Sequence, residues 1–160
     1  MSMYFIEFRD AARKHFKVCE CLYEKCNPIC LEDWYIKDEI YYLLGYVVEM
    51  GLKYIKLKQI GEGEVGNLDF DNRDEIKTFL ENRGENFYNF YTHKISKLSN
   101  LINEIEVNFE SLERIKDFFV NDWKIDMRYH CNENRYCNIR NRLDEIYKEV
   151  KNFLEYCYKI

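Results

Sequence analysis

Four of the nine arginines of this chain lie within 15 residues, at positions 128, 135, 140 and 142. Tyrosine, histidine and asparagine side chains stand among them. A guanidinium binds phosphate through two parallel hydrogen bonds, and aromatic rings stack on nucleic-acid bases. The segment therefore predicts a surface for RNA or a nucleotide, formed by Arg128, Tyr129, His130, Arg135, Asn141 and Arg142. The alternative is a solvated edge that pairs with the acidic segment 62–75.

Two other groups of ionisable residues are candidates for a functional role: one charged pair with helical spacing and two isolated histidines. Glu49 precedes Lys53 by four residues, the order and spacing of an ion pair on a helix. The sequence leaves open whether that pair is solvated. His15 and His93 are single histidines, which are predicted to cap or pack rather than to catalyse.

The seven cysteines do not form a convincing zinc pattern. Cys19 and Cys21 are two residues apart on a predicted helix and so point in nearly opposite directions. The spacing of Cys26 and Cys30 is acceptable, but a complete site would need His130, Cys131 or Cys137 from a distant segment. The sequence therefore predicts buried or incidental thiols in the reduced state, with no metal and no cofactor.

A glycine motif at residues 61–66 matches the G-x-G-x-x-G pattern of dinucleotide-binding proteins. That pattern binds a pyrophosphate when it joins a strand to a helix. Here the motif follows a predicted helix, and Glu62 and Glu64 within it would repel phosphate. The motif is therefore predicted to be part of a flexible acidic loop over residues 61–71.

Composition and hydrophobic periodicity predict an all-α protein. The chain has 160 residues, 47% of them hydrophobic, with one proline and six glycines, which suits one domain of a few long helices over residues 1–160. Apolar residues at intervals of three and four predict an up-and-down bundle of about five to six helices. The predicted helices cover residues 2–25, 32–58, 73–81, 92–105, a stretch from 111 and residues 139–157, with 126–138 as a loop.

Local signals refine these helices. Asp71 and Thr92 are candidate N-caps, because short side-chain oxygens accept hydrogen bonds from the first free amides of a helix. Gly45 and Gly51 interrupt the second predicted helix, where each lowers helix propensity by up to about 1 kcal/mol. They are predicted to let another helix approach closely.

Charge and hydropathy narrow the function classes. The net charge of −5 argues against a wholly basic nucleic-acid coat, although a local basic patch is compatible with it. The first residues carry no signal-peptide pattern, and no window reaches about 18 uncharged apolar residues. The expectation is a cytoplasmic protein without a membrane partner.

Three segments in order resemble HEPN domains. The stretch Tyr41 to Lys53, YYLLGYVVEMGLK, resembles the family's second helix, with its pattern Tyr-Leu-x-Gly-Tyr-x-x-Glu-x-x-Leu-Lys. Thr92 to Leu98 resembles the short helix that opens with a histidine, and Trp123 to Tyr129 resembles a Trp-x-x-x-x-Arg-Tyr segment. The resemblance covers about residues 5–154.

The resemblance implies a helical bundle that commonly forms homodimers. HEPN proteins include ribonucleases, toxins paired with nucleotidyltransferase antitoxins, components of defence systems, and binding modules without catalysis. Active members carry an arginine followed, after four to six residues, by a histidine. There the cation holds the scissile phosphate, and the imidazole takes a proton from the attacking 2′-hydroxyl.

This chain departs from that motif. Arg140 to Tyr147 resembles the pattern Arg-x4-His-x-Tyr, but Glu145 stands where the histidine would be. The sequence therefore favours a non-catalytic or degenerate HEPN-like protein that binds RNA, a nucleotide or a protein partner through its arginine-rich surface. The resemblance implies a toxin–antitoxin or defence system as the setting and a nucleotidyltransferase as one kind of protein partner. One alternative is a metal-independent endoribonuclease that uses Arg140, Glu145 and Tyr147. Another is a purely structural interaction module.

Overall fold

The computed structural model describes residues 4–26, 34–102, 112–119, 123 and 137–160. Within these ranges the chain is all-α, with nine helices and no strand, which confirms the predicted fold class. The number of helices exceeds the predicted five to six because four of them are only four or five residues long. The helices are α1 (Ile6–Lys25), α2 (Trp34–Ile60), α3 (Glu62–Val65), α4 (Arg73–Glu81), α5 (Phe87–Phe90), α6 (Ile95–Ser99), α7 (Leu112–Phe119), α8 (Cys137–Asn141) and α9 (Leu143–Lys159). None of these helices is long and apolar enough to cross a membrane.

Helix α2 is the centre of the bundle. It packs against α1 and α9 along its length and also contacts α3, α6 and α8. Because it has neighbours on several sides, its apolar residues occur all round its surface rather than on one stripe. Its fully buried side chains include Ile40, Tyr41, Leu44, Val47, Val48 and Leu57. A central helix of this kind fixes the positions of the polar residues that it carries.

Two glycines of α2 allow the close contacts that their positions predict. A Cβ atom at Gly45 would lie 1.9 Å from Nε1 of Trp123, and one at Gly51 would lie 2.4 Å from Cε1 of Phe153 in α9. Real Cβ atoms do not come that close to other heavy atoms. The close helix approach predicted at Gly51 is therefore confirmed, whereas the neighbour at Gly45 is Trp123, which belongs to none of the described helices.

The N-caps differ from those predicted. Helix α4 is capped by Asn72 rather than Asp71, because the Asn72 side chain accepts a hydrogen bond from the Glu75 amide at 3.3 Å. Asp71 instead belongs to the preceding turn, where its amide donates to Oδ1 of Asp69. An N-cap oxygen reaches the amide three residues ahead, and a helix that begins at Arg73 puts Asn72 at that distance.

Thr92 is not the N-cap of α6. Its Oγ1 accepts a hydrogen bond from the Lys94 amide, two residues ahead, at 3.1 Å, and Lys94 occupies the N-cap position without a side-chain cap. The helix itself ends at Ser99, earlier than predicted, with Leu101 and Ile102 in a turn. Ile105 lies outside the described residues.

Two other boundaries differ. The predicted loop 61–71 contains the short helix α3, and the last predicted helix begins earlier, with α8 at Cys137. A turn at Arg142, with φ −106° and ψ 7°, separates α8 from α9. The rest of the predicted loop 126–138, and Pro28, lie outside the described residues.

The thiols of α1 and α9 are expected to react unequally. Cys19 and Cys157 are buried and Cys21 is exposed, and burial raises the pKa of Cys19 to about 12 and also raises that of Cys157. The thiolate is the reactive form. At pH 8 we expect an aromatic disulfide reagent to label Cys21 and to spare Cys19 and Cys157 until the protein is unfolded. Peptide mass spectrometry would identify the sites, and equal native labelling of Cys19 and Cys21 would contradict this packing.

Candidate functional site

A charged pair lies inside the bundle at the middle of α2. The Lys53 ammonium donates to Oε1 of Glu49 at 2.7 Å, and the two residues are 7% and 0% exposed. The predicted ion pair is therefore confirmed, and it is buried rather than solvated. Removing a charge from water costs several kcal/mol unless it is well paired, so each member depends strongly on the other.

His93 completes the group, which we call the Glu49 cluster (Glu49, Lys53, His93). The imidazole Nδ1 lies 3.0 Å from Oε2 and 3.1 Å from Oε1 of Glu49. An ionised carboxylate only accepts hydrogen bonds, so Nδ1 carries a proton and donates it. In the neutral ring this leaves Nε2 as a proton acceptor. The His93 side chain is 56% exposed, so a ligand has access to it.

The chain on either side of His93 is anchored. Phe90, at the end of α5, and Ile95, at the start of α6, are both buried, while the Thr92 side chain accepts the Lys94 amide between them. The imidazole is thus held at one nitrogen by a carboxylate from the most buried helix. A carboxylate, an oriented imidazole and a second ring nitrogen that has no hydrogen-bond partner among the described residues are the parts of a general acid–base site.

Aromatic rings occupy the turns of α2 before Glu49. His15 of α1 stacks on Tyr46 with ring centroids 5.4 Å apart, which confirms its predicted packing role. Burial and Lys14 lower the pKa of His15, while Glu49 opposes this shift. The Trp123 indole donates to the Tyr42 carbonyl at 2.9 Å and packs edge-on against Tyr46. His15 therefore lies within the field of the same buried carboxylate as His93.

Arg140, the first residue of the predicted catalytic set, forms a two-point ion pair. Its Nε and Nη2 donate to the two oxygens of Asp38 at 2.8 and 2.6 Å, and its guanidinium lies 4.8 Å from the Trp34 ring centroid. The side chain is only 11% exposed. Its carboxylate partner is on α2, so the predicted pairing with segment 62–75 is wrong for this arginine. The contact ties α8 to α2.

The other two residues of that set have different neighbours. Glu145 accepts from Arg142 at 3.1 Å, with both side chains exposed, and the Arg142 guanidinium lies over Phe118. The ring of Tyr147 stacks on Tyr23 and Phe16, and burial raises the pKa of Tyr147 to about 12. The contacts of the described residues thus do not join Arg140, Glu145 and Tyr147 into one site, and their catalytic role stays a prediction.

The predicted binding surface is only partly described. Asn141 and Arg142 are exposed, whereas Arg128, Tyr129, His130 and Arg135 lie outside the described residues. The same holds for Cys30 and Cys131 of the zinc pattern that the sequence disfavours. In the described part of the chain, no group of three or more His, Cys, Asp or Glu residues could hold a metal ion.

No protein-family model, curated protein or solved structure matches this chain.

Residue spacing alone did not identify the Glu49 cluster. Glu49 and His93 are 44 residues apart, so their contact depends on how α5 and α6 return to the middle of α2. A signal was nevertheless present, because both residues fall in segments that resemble HEPN motifs.

Proposed function

We propose that this protein is an HEPN-like ribonuclease that cleaves RNA without a metal ion, with His93 as its acid–base group. The observation that carries the proposal is the bond between Nδ1 of His93 and the buried Glu49 carboxylate. Fixing the proton on Nδ1 leaves Nε2 free to accept one, which is the arrangement that an imidazole base requires. This proposal departs from the capping or packing role that the sequence predicts for His93, and it differs from the catalytic set predicted as Arg140, Glu145 and Tyr147.

The proposed reaction is an internal transfer at phosphorus. Nε2 of His93 takes the proton of a ribose 2′-hydroxyl, and the oxygen attacks the adjacent phosphorus. The new 2′-oxygen–phosphorus bond gives a 2′,3′-cyclic phosphate, while the bond to the 5′-oxygen breaks and that oxygen takes a proton from water. The hydroxide left behind then takes the proton from the imidazolium, which restores the neutral ring. Glu49 stabilises the imidazolium that forms. Arg128, which the resemblance assigns to the Trp-x-x-x-x-Arg-Tyr segment, is the proposed cation for the phosphate.

A second candidate is binding of RNA, a nucleotide or a protein partner without cleavage. It is favoured by the glutamate at position 145 in place of the family's histidine. The proposed setting for either candidate is a toxin–antitoxin or defence system, with homodimer formation and a nucleotidyltransferase-type partner. Under this candidate the Glu49 cluster is a structural network that satisfies a buried carboxylate.

Cleavage of labelled RNA by His93 variants separates the two candidates. In buffer with a chelator, we expect His93→Ala to cut at least about 100-fold more slowly than the natural protein, because a positioned acid–base group contributes roughly 10²- to 10⁴-fold. The products should end in a cyclic phosphate. Lys94→Ala, a change at the exposed neighbouring residue, is the matched control and should cut normally.

Three results would count against the proposal. Equal cleavage by His93→Ala would remove His93 from the reaction. Loss of cleavage in Glu145→Gln, with His93→Ala unaffected, would favour the set predicted from the motif. RNA that is bound but left intact by the natural protein would establish the second candidate.

A further inference from the structure

A basic groove runs between α1 and α9, on residues that the Glu49 cluster does not include. Its volume is about 520 Å³, and its floor is formed by the buried side chains of Phe16 and Leu154. Four cationic side chains line it against one carboxylate, that of Glu155: Arg13, Lys17, Lys151 and Lys159. The whole chain has a net charge of −5, so the positive charge of this groove is opposite in sign to the net charge of the protein.

Most of these cations have no carboxylate partner in the described part of the chain. Lys17 pairs with Glu20 at 2.5 Å. No described carboxylate lies within ion-pair distance of Arg13, Lys151 or Lys159, and all three are exposed. Like charges held close together repel one another, so an anion in the groove would be stabilised.

Tyr158 gives one end of the groove a defined shape. Its hydroxyl donates to Asp10 at 3.2 Å, and the guanidinium groups of Arg9 and Arg13 lie 4.5 and 5.6 Å from its ring centroid. Arg13, which lines the groove, thus also lies near the Tyr158 ring. A guanidinium binds phosphate through two parallel hydrogen bonds.

The spacing of the cations suits a chain with regularly repeated charges. Lys151 and Lys159 are eight residues apart on α9, about 12 Å along the helix axis, and Arg13 and Lys17 are one turn apart on α1. These cations of α1 and α9 line the same open groove. Membrane-binding helices present a broad exposed apolar face, whereas the apolar side chains of this groove, Phe16 and Leu154, are buried.

We propose that the α1–α9 groove binds the phosphate backbone of single-stranded RNA. The inference rests on the proposed function for the choice of RNA, and it adds a surface that holds the strand by charge rather than by base identity. It assigns binding to Arg13, Lys151 and Lys159 and no chemistry to them. Binding and cleavage can therefore fail separately.

The test measures binding of a fluorescent 2′-O-methyl oligouridine, whose blocked 2′-oxygen prevents cleavage. We expect Lys151→Glu combined with Lys159→Glu to weaken binding by at least about tenfold at 150 mM salt. The slope of log K against log salt concentration should become shallower by about 1.4, because two phosphate contacts are lost and each contributes about 0.7 on a single strand. The matched control, Lys25→Glu with Lys77→Glu, changes the net charge equally outside the groove and should bind nearly as the natural protein does. Circular dichroism would establish that both variants are folded.

Each remaining outcome decides the proposal. Equal weakening in the control would mean that net charge alone drives binding, and absence of binding by the natural protein would remove the RNA surface. Competition by polyglutamate or by anionic vesicles as strong as that by RNA would assign the groove to another partner. If the groove variant loses binding while His93→Ala cleaves normally, the proposed catalytic role fails and the groove assignment stands. The reverse result rejects the groove assignment alone.

Discussion

Glu49→Ala is expected to destabilise the fold by about 3–5 kcal/mol, because it leaves the Lys53 ammonium buried without its partner. Lys53 is 7% exposed, so water can replace the lost carboxylate only if the bundle opens locally. The change also removes the acceptor that holds Nδ1 of His93. Urea unfolding followed by circular dichroism would measure the loss. A change below about 1 kcal/mol would show that Lys53 reaches solvent.

A double substitution distinguishes the charge effect from the loss of packing. Glu49→Gln with Lys53→Met removes both charges and keeps similar side-chain volumes, so it should be clearly more stable than Glu49→Ala. It should nevertheless cleave RNA poorly under the proposed function, since a glutamine does not stabilise an imidazolium. If the double variant is more stable than Glu49→Ala but does not cleave RNA, the structural role of the pair is separate from its catalytic role. If the double variant regains both stability and cleavage, Glu49 is a purely structural residue.

The elements that follow local rules were predictable from the sequence. Intervals of three and four apolar residues indicate α1, α2 and α9, and the spacing of Glu49 and Lys53 indicates their ion pair. Gly45 and Gly51 stood out because glycine is unfavourable inside a long helix. Their packing partners, Trp123 and Phe153, could not be inferred from local spacing.

Contacts between distant segments could not be predicted in the same way. His93 meets Glu49 across 44 residues, and Arg140 meets Asp38 across 102. Such pairs depend on how the helices cross, which periodicity does not encode. The prediction of Asp71 as the N-cap of α4 was wrong for a more local reason. Asp71 and Asn72 are neighbours in the sequence, and both residue types are good N-caps. Only the turn that includes Asp69 decides between them.

Gly45→Ala tests the close approach of Trp123 to α2. A Cβ at Gly45 would lie between 1.9 and 2.3 Å from three atoms of the Trp123 indole. The ring cannot move aside freely, because it donates to the Tyr42 carbonyl and packs on Tyr46. Gly45→Ala is therefore expected to cost at least about 1–3 kcal/mol through overpacking. The overpacking cost should be larger than the roughly 1 kcal/mol by which alanine is favoured over glycine inside a helix, so the variant should be less stable than the natural protein.

Gly63→Ala is the matched control, since it makes the same chemical change in helix α3 where a Cβ would meet nothing within 4 Å. It should leave the stability unchanged or raise it slightly. Combining Gly45→Ala with Trp123→Leu should cost less than the sum of the two single changes, because the smaller side chain makes room for the new methyl group. Equal stability of Gly45→Ala and Gly63→Ala would contradict the close approach of Trp123 to α2. A strictly additive double variant would place the cost of Gly45→Ala elsewhere than in the indole contact.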